Sequence, residues 1–294
     1  AIKLQNEQAE QIIRARQALL SAGSDLSAEA GRGKDIMTLL MKGGESGESE
    51  SYIDHQSMVG HMNTFIFAGH ETTSAVLTRI LDILAQRPDT QTKLREELGQ
   101  YFEKNPSETH LDNLLELPYL DGIVREVLRL YPPVTNIPRA CLEDTVLPLE
   151  YPIDTPFGKI TNVPIKKGTN VIMNIVYFNR NETIWGERAN EFLPERWIGS
   201  KIDEVTRPGS RLPGVYSSMM TFGSGSYACI GFKFAVMEIK VMLAELITKF
   251  KFEPADEECT FVGIGLGFPY APYAKKDLAN PDKSPKFFLK VTKL

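Results

Sequence analysis

Cysteine is scarce in this chain of 294 residues: Cys141, Cys229 and Cys259 are all it has. Three thiols so far apart give neither a disulfide framework nor the close spacing of a zinc site. Histidine is scarce too, and His55, His61, His70 and His110 fall in no metal-binding cluster. No apolar run is long enough to span a bilayer, and the first residues do not read as a signal peptide. Positive charge is not in excess. The formal net charge is −5, which argues against a nucleic-acid partner. No internal repeat is visible. Alanine rather than methionine opens the chain, so a segment upstream is expected. What is present is a 42% hydrophobic composition, enough to bury a large core in one domain or two.

The chain is organised around Phe222-Gly223-Ser224-Gly225-Ser226-Tyr227-Ala228-Cys229-Ile230-Gly231. An amphipathic helix pattern follows at once, with Ile239, Met242, Leu243, Leu246, Ile247 and Phe250 on one face and Lys240, Glu245 and Lys249 largely off it. Cys229 therefore sits at the mouth of a helix, where unpaired N–H groups and the positive dipole end favour thiolate. The glycines let the loop adopt positive φ and approach something flat and large. A thiolate so held is a good soft metal ligand. A small buried hydrophobe is the plainer reading of a lone cysteine.

Upstream, Ile2 to Leu20 reads as an amphipathic helix, Ser21 to Lys34 as a loop, and Asp35 as the cap of a short helix through Met41. Gly43 to Ser51 reads as a mobile acidic linker. Residues 57–86 form a long helix pattern whose middle, Phe65 to Gly69, is apolar nearly all round and expected to be buried on several sides. His70, Glu71, Thr72 and Thr73 follow, polar where a core would continue. The Thr72 hydroxyl can reach the Ala68 carbonyl and bend the helix. Either this is a kinked core helix, or the residues open a groove holding an acid and an alcohol.

Asp89 to Phe102 is expected as an exposed charged helix. Leu111 to Leu130 continues helical with a break near Pro118 and stops at Tyr131, before Pro132 and Pro133. Within it Glu126 and Arg129 are three apart, and the apolar flanks (Ile123, Val124, Val127, Leu128, Leu130) imply burial. A buried ion pair needs further partners. Short strands are expected at Asn136 to Leu142, Lys159 to Val163 and Asn170 to Ile175, with edge strands at Phe261 to Tyr270 and Lys286 to Lys293. Gly263 to Phe268 reads as a flexible lip. Asn181-Glu182-Thr183 matches a glycosylation sequon, expected to be unused in a protein facing the cytosol.

Taken together, Ala68-Gly69-His70-Glu71-Thr72-Thr73, Glu126-Val127-Leu128-Arg129, Pro194-Glu195-Arg196-Trp197 and the cysteine loop resemble, in order, the motifs of the cytochrome P-450 superfamily. The resemblance runs from about Asp35 to the end. It implies a mainly α fold with small β-sheets (α+β), namely the C-terminal part of that fold without its N-terminal half. Residues 1–294 would be a single incomplete haem-thiolate domain: an oxygen-activation helix at 57–86, the Glu-x-x-Arg helix at 119–131, and the haem-ligand loop with its helix at 222–250.

Cys229 would be the axial ligand of haem b iron. Ala68, Phe222, Gly223, Gly225, Tyr227, Ile230 and Gly231 would lie against the cofactor, and Arg139 would pair with a propionate. Tyr227 departs from the pattern: it stands where most members have Arg or His, and a phenol donates one hydrogen bond without charge. Glu71 and Thr72 would supply protons for dioxygen reduction. Arg196 would join Glu126 and Arg129 in a structural triad, Val134 to Pro138 would line the substrate pocket, and Ile198 to Thr221 would form the meander into the cysteine loop.

The activity implied is insertion of one atom of dioxygen into an apolar organic substrate. Electrons would come from NADPH through a reductase. The full-length protein would sit on the cytosolic face of the endoplasmic reticulum, held by an N-terminal anchor absent here, and the motif style looks fungal. Two other readings remain open: a haem-less inactive remnant, and an isomerase or dehydratase that needs no oxygen. Glu71-Thr72 argues against the second.

Overall fold

In the computed structural model the described residues are 2–23, 35–45, 53–106, 111–199, 206, 213–263, 270–278 and 286–294. They group into two compact units, Ala1–Glu71 and Thr72–Leu294.

The first unit holds α1 (Ile2–Ser21), α2 (Ile36–Glu45) and the start of α3 (His55–Gln86). Asp35 caps α2 by accepting from the Thr38 N–H at 2.9 Å, and Asp54 caps α3 by accepting from Ser57 N–H at 3.0 Å. Ala9, Ile13, Met41, Met58, Val59 and Met62 form its core. Two expectations need correction. Helix α2 continues past Met41 through Gly43 and Gly44; residues 46–51 of the expected linker lie outside the described residues, as do 24–34 of the expected loop. Helix α3 is helical through Gly69, in line with the long helix pattern over 57–86. The stretch Phe65 to Gly69 is not buried on several sides: Ile66 and Phe67 are each 50% exposed. An apolar helix pattern specifies a surface to be buried without supplying its partner.

In the second unit the C-terminal part of α3 packs with α4 (Pro88–Lys104), α6 (Pro118–Leu130) and α9 (Phe232–Lys249), with the single turn α5 (Leu111–Leu115) beside them. Ile80, Leu84, Leu94, Leu98, Leu120, Ile123, Leu243 and Ile247 are sealed in this core, each worth roughly 1.5–3 kcal/mol over an exposed position. Helix α4 was expected to be exposed. Instead Gln91, Leu94 and Leu98 are buried, Arg95 donates to the Ile247 and Phe250 carbonyls, and Glu97 caps α6 through the Tyr119 and Leu120 N–H groups, each at 2.8 Å. On α9, Lys240 is buried, with Nζ 2.5 Å from Asp121 Oδ1, while Met242 is 46% exposed. The lysine stem lies in the core because its charge finds a partner there.

Four two-stranded antiparallel sheets complete the fold: β1 (Asn136–Ala140) with β4 (Asn170–Asn174), β2 (Thr145–Thr155) with β3 (Gly158–Ile165), β5 (Phe250–Pro254) with β8 (Leu289–Lys293), and β6 (Cys259–Gly263) with β7 (Tyr270–Ala274). Strand β2 was not expected because Pro148 and Pro152 interrupt it; the register shifts between Pro148 and Ile153, the kind of irregularity that tolerates proline in a strand. Phe250, expected at the end of the helix, instead opens β5. Residues 264–268 of the expected lip lie outside the described residues, as does most of 200–212 in the expected meander. The described architecture is the expected mainly α fold with small sheets. No helix among the described residues is long and apolar enough to cross a membrane.

The connection from β4 toward the cysteine loop runs through α7 (Ile175–Arg180), α8 (Glu182–Trp185) and a 3-10 turn, Pro194–Trp197. It has little ladder of its own and is organised by Glu126 and Arg129, both fully buried. Arg129 spends all five N–H groups: two on Glu126 at 2.9 and 2.8 Å, and three on the carbonyls of Asn179, Ala189 and Glu191. Glu126 also accepts from Leu193 N–H at 3.1 Å, Arg196 Nε at 3.4 Å and Trp197 Nε1 at 2.9 Å. The approach is close: a Cβ on Gly122 would lie 2.6 Å from the Pro194 carbonyl oxygen.

Removing one partner of such a pair leaves a buried charge uncompensated. Glu126→Ala is expected to cost on the order of 3–5 kcal/mol, with Glu126→Gln intermediate because it keeps acceptors but loses charge. Denaturant unfolding of the full-length protein checks this, and a cost below about 1 kcal/mol for the alanine variant would show that the pair organises nothing.

Candidate functional site

The cysteine loop begins where the buried network ends. The Asn179 carboxamide accepts from Met220 N–H and donates to Thr221 Oγ1, both at 2.8 Å, and Thr221 Oγ1 donates to the Leu128 carbonyl at 2.7 Å. Arg129 thus holds the backbone of Asn179, and Asn179 holds the residues entering the loop. A second tie runs from Arg125 Nη1 to Ser217 Oγ at 2.7 Å.

Phe222 anchors the loop floor, its ring 5.6 Å from Tyr216 and 6.1 Å from Phe232. The Cys229 N–H donates to the Phe222 carbonyl at 2.8 Å and closes the loop. Gly223 and Gly225 have φ of 71° and 63°, the left-handed region that a side chain would strain. A 3-10 turn at Gly225–Tyr227 follows, and α9 starts at Phe232, just after Cys229 and its successors Ile230 and Gly231.

Cys229 is exposed, not the small buried hydrophobe of the plainer reading. Around it Ile230 is 91%, Tyr227 82% and Phe234 59% exposed. A soft donor ringed by wet apolar side chains, on a backbone drawn down by two left-handed glycines, has the chemistry of a site for a flat apolar group carrying a metal. The residues present fit haem.

Arg139 on β1 reaches the same place. Its guanidinium carbon lies 5.2 Å from the centre of the Tyr227 ring, and Nη1 donates to the Pro138 carbonyl at 3.0 Å. The two side chains that depart from or supply the expected anion contacts are therefore stacked as one unit, a cation on an aromatic face.

On α3 the expected acid is exposed, with Glu71 Oε1 3.5 Å from His70 Nδ1. Thr72 is half-buried and Ala68 exposed. The next hydroxyl was not singled out: Thr73 is buried, and its Oγ1 has no hydrogen bond among the described residues. Sequence reasoning also missed Asn179 and Thr221, which no local pattern marks, and it quoted Trp197 without seeing its bond to Glu126. A hollow beside Tyr131, flanked by Arg79 and Arg180, carried no motif at all.

Comparison with known proteins follows the same lines. The family model for cytochrome P-450 matches residues 1–269. The chain is 42% identical over 255 residues to cytochrome P-450 monooxygenase 91 of Postia placenta, covering 86% of this chain and 46% of that protein. It is 38% identical over 273 residues to ganoderic acid synthetase CYP5150L8 of Ganoderma lucidum, covering 90% of this chain and 49% of that protein. It is 35% identical over 269 residues to the monooxygenase eriI of Hericium erinaceus, covering 91% and 48%. The chain spans about half the length of these curated relatives.

Exposure separates Cys229 from the half-buried Cys141 and Cys259. Brief alkylation of haem-free protein with iodoacetamide, read by peptide mass spectrometry, should label Cys229 several-fold faster than the other two, and added haem should protect it. Equal labelling of all three, or no protection, would mean that the thiol does not face the cofactor surface.

Proposed function

The chain belongs to the cytochrome P-450 family, and from that premise we propose that it forms the C-terminal part of a haem-thiolate monooxygenase domain in which Cys229 would hold the haem iron. The observation that carries this reading is the exposed Cys229 on a loop with two left-handed glycines, beside the exposed side chains of Tyr227 and Ile230. Haem iron bound by a thiolate supplies the activation of dioxygen for insertion of one oxygen atom into an organic substrate.

The protein's own residues bind, orient and move protons. Cys229 would hold the metal. Phe222, Gly223, Gly225 and Gly231 would shape the loop that receives the ring system, and Ala68 is assigned to the cofactor by the family resemblance alone. The Arg139–Tyr227 stack would hold a propionate, with the cation from Arg139 offsetting the uncharged Tyr227. Glu71, exposed and paired with His70, takes protons from solvent, and the neighbouring Thr72 hydroxyl hands them on to the reaction. Glu126, Arg129 and Arg196 touch no substrate; they position the loop. Residues 134–138 line the substrate side, and the substrate is an apolar organic molecule. Electrons come from NADPH through a separate reductase, the arrangement that the family resemblance implies, and the full-length protein works at the endoplasmic reticulum membrane.

Two measurements test the reading in the full-length protein. Cys229→His should abolish the reduced carbon monoxide band characteristic of thiolate-bound haem; an unchanged spectrum would move the ligand elsewhere, to Cys141 or Cys259. Thr72→Ala should retain haem and substrate binding yet release peroxide instead of product for most of the NADPH consumed. Full coupling in that variant would confine the Thr72 hydroxyl to its own helix.

A further inference from the structure

We propose that the hollow lined by Arg79, Tyr131, Pro133, Thr135, Arg180 and Phe261 is a binding site for a carboxylate carried on a compact apolar body. The cavity measures about 230 Å³, below the roughly 300–1,000 Å³ of sites for drug-sized ligands, so the body is small. It forms where α3, the end of α6, the segment after it, α7 and β6 meet, all within Thr72–Leu294.

The two cations are fixed in advance. The Arg79 guanidinium carbon lies 3.4 Å from the Phe261 ring centre and 4.6 Å from that of Tyr131, and Arg180 lies 5.0 Å from the same Tyr131 ring. Arg79 Nη1 meets Asp82 Oδ2 at 3.3 Å. Its other N–H groups make no hydrogen bond among the described residues. Arg180 gives Nε, at 2.9 Å, and Nη2 to the Leu130 carbonyl, which leaves its Nη1 without a hydrogen bond among the described residues. Two guanidinium groups thus share the cavity with one neighbouring carboxylate, that of Asp82. Burial, reinforced by the charge of Arg180, holds Arg79 below the ordinary arginine value despite Asp82.

A planar fork with donors to spare, already immobilised between rings, matches a carboxylate and has little conformational freedom left to lose on binding. The aromatic rings and Pro133 supply the apolar wall for the rest of the ligand. The Thr135 hydroxyl already accepts from the Asn136 carboxamide at 3.1 Å. Thr135 belongs to the stretch 134–138 on the proposed substrate side, so the hollow adjoins that side, while its anion contacts come from Arg79 and Arg180 alone.

The test is calorimetric titration of the full-length, haem-loaded protein with benzoate, its neutral isostere benzamide, and inorganic phosphate. Benzoate should bind roughly ten-fold or more tightly than benzamide, since the charge-assisted hydrogen bonds are lost with the charge, and more tightly than phosphate, which lacks an apolar body. Arg79→Gln should weaken benzoate by about the same factor and leave benzamide unchanged, while Arg79→Lys should fall between. The wild-type comparison of benzoate with benzamide needs no variant to fold. Equal binding of the two, or phosphate binding as tightly as benzoate, overturns the proposal, as does an Arg79→Gln variant that keeps full benzoate affinity. The thiolate spectrum of the same sample reports on Cys229 separately, so failure here and failure there are distinguishable.

Discussion

A carboxylate and a guanidinium taken wholly out of water cost several kcal/mol each unless every donor and acceptor is met. Glu126 and Arg129 meet that condition by drawing in backbone from far along the chain: the carbonyls of Asn179, Ala189 and Glu191 and the N–H of Leu193, with Arg196 and Trp197 closing the ring. The segment so recruited has few ladder bonds of its own. The pair does for that irregular chain what a sheet does for a strand. It also fixes the place from which the cysteine loop departs, because Asn179 bridges to Met220 and Thr221. The placement of Cys229 is thus inherited from a charge buried on another helix.

The surface that results has two characters. Beneath the loop, Tyr216, Phe222 and Phe232 pack face to edge and tilted, and the Tyr216 hydroxyl is pushed far above its ordinary range by burial. Above it, Tyr227 and Ile230 stand in solvent. Rigid below and bare above is what a preformed cofactor surface requires: the geometry is set before the ligand arrives, and the apolar cost of exposure is relieved by its arrival. Tyr227 fits this arrangement in a way its lack of charge alone would not suggest. By stacking under Arg139 it turns two separate contacts into one cationic unit.

Much of this was legible in the residues. The helices announced themselves by 3.6-residue periodicity, Pro118 and Pro132 by their known effects on helix ends, and the cysteine loop by glycines whose positive φ the structure shows at Gly223 and Gly225. The errors share a cause. The burial of Lys240, the packing of α4, the exposure of Ile66 and Phe67 and the strand through Pro148 and Pro152 all depend on what lies opposite. A sequence pattern states which surface an element offers; it does not state whether a partner comes to cover it, or whether a charge such as Asp121 waits in the core.

From its sequence alone this protein was determined to carry a cysteine on a glycine loop at a helix start and to place Glu126 beside Arg129, because these follow from local sterics and residue spacing; the mainly helical fold with small sheets was what the family resemblance of its motifs implied. Tertiary structure alone decided that Asn179 links that pair to the loop, that Arg139 stacks on Tyr227, that Thr73 rather than its neighbour is the buried hydroxyl, and that Arg79 and Arg180 converge on Tyr131. Each of these joins groups that are distant in sequence or turns on which face of a helix is covered. Contacts of that kind are settled by the packing of whole elements, and no local propensity encodes them.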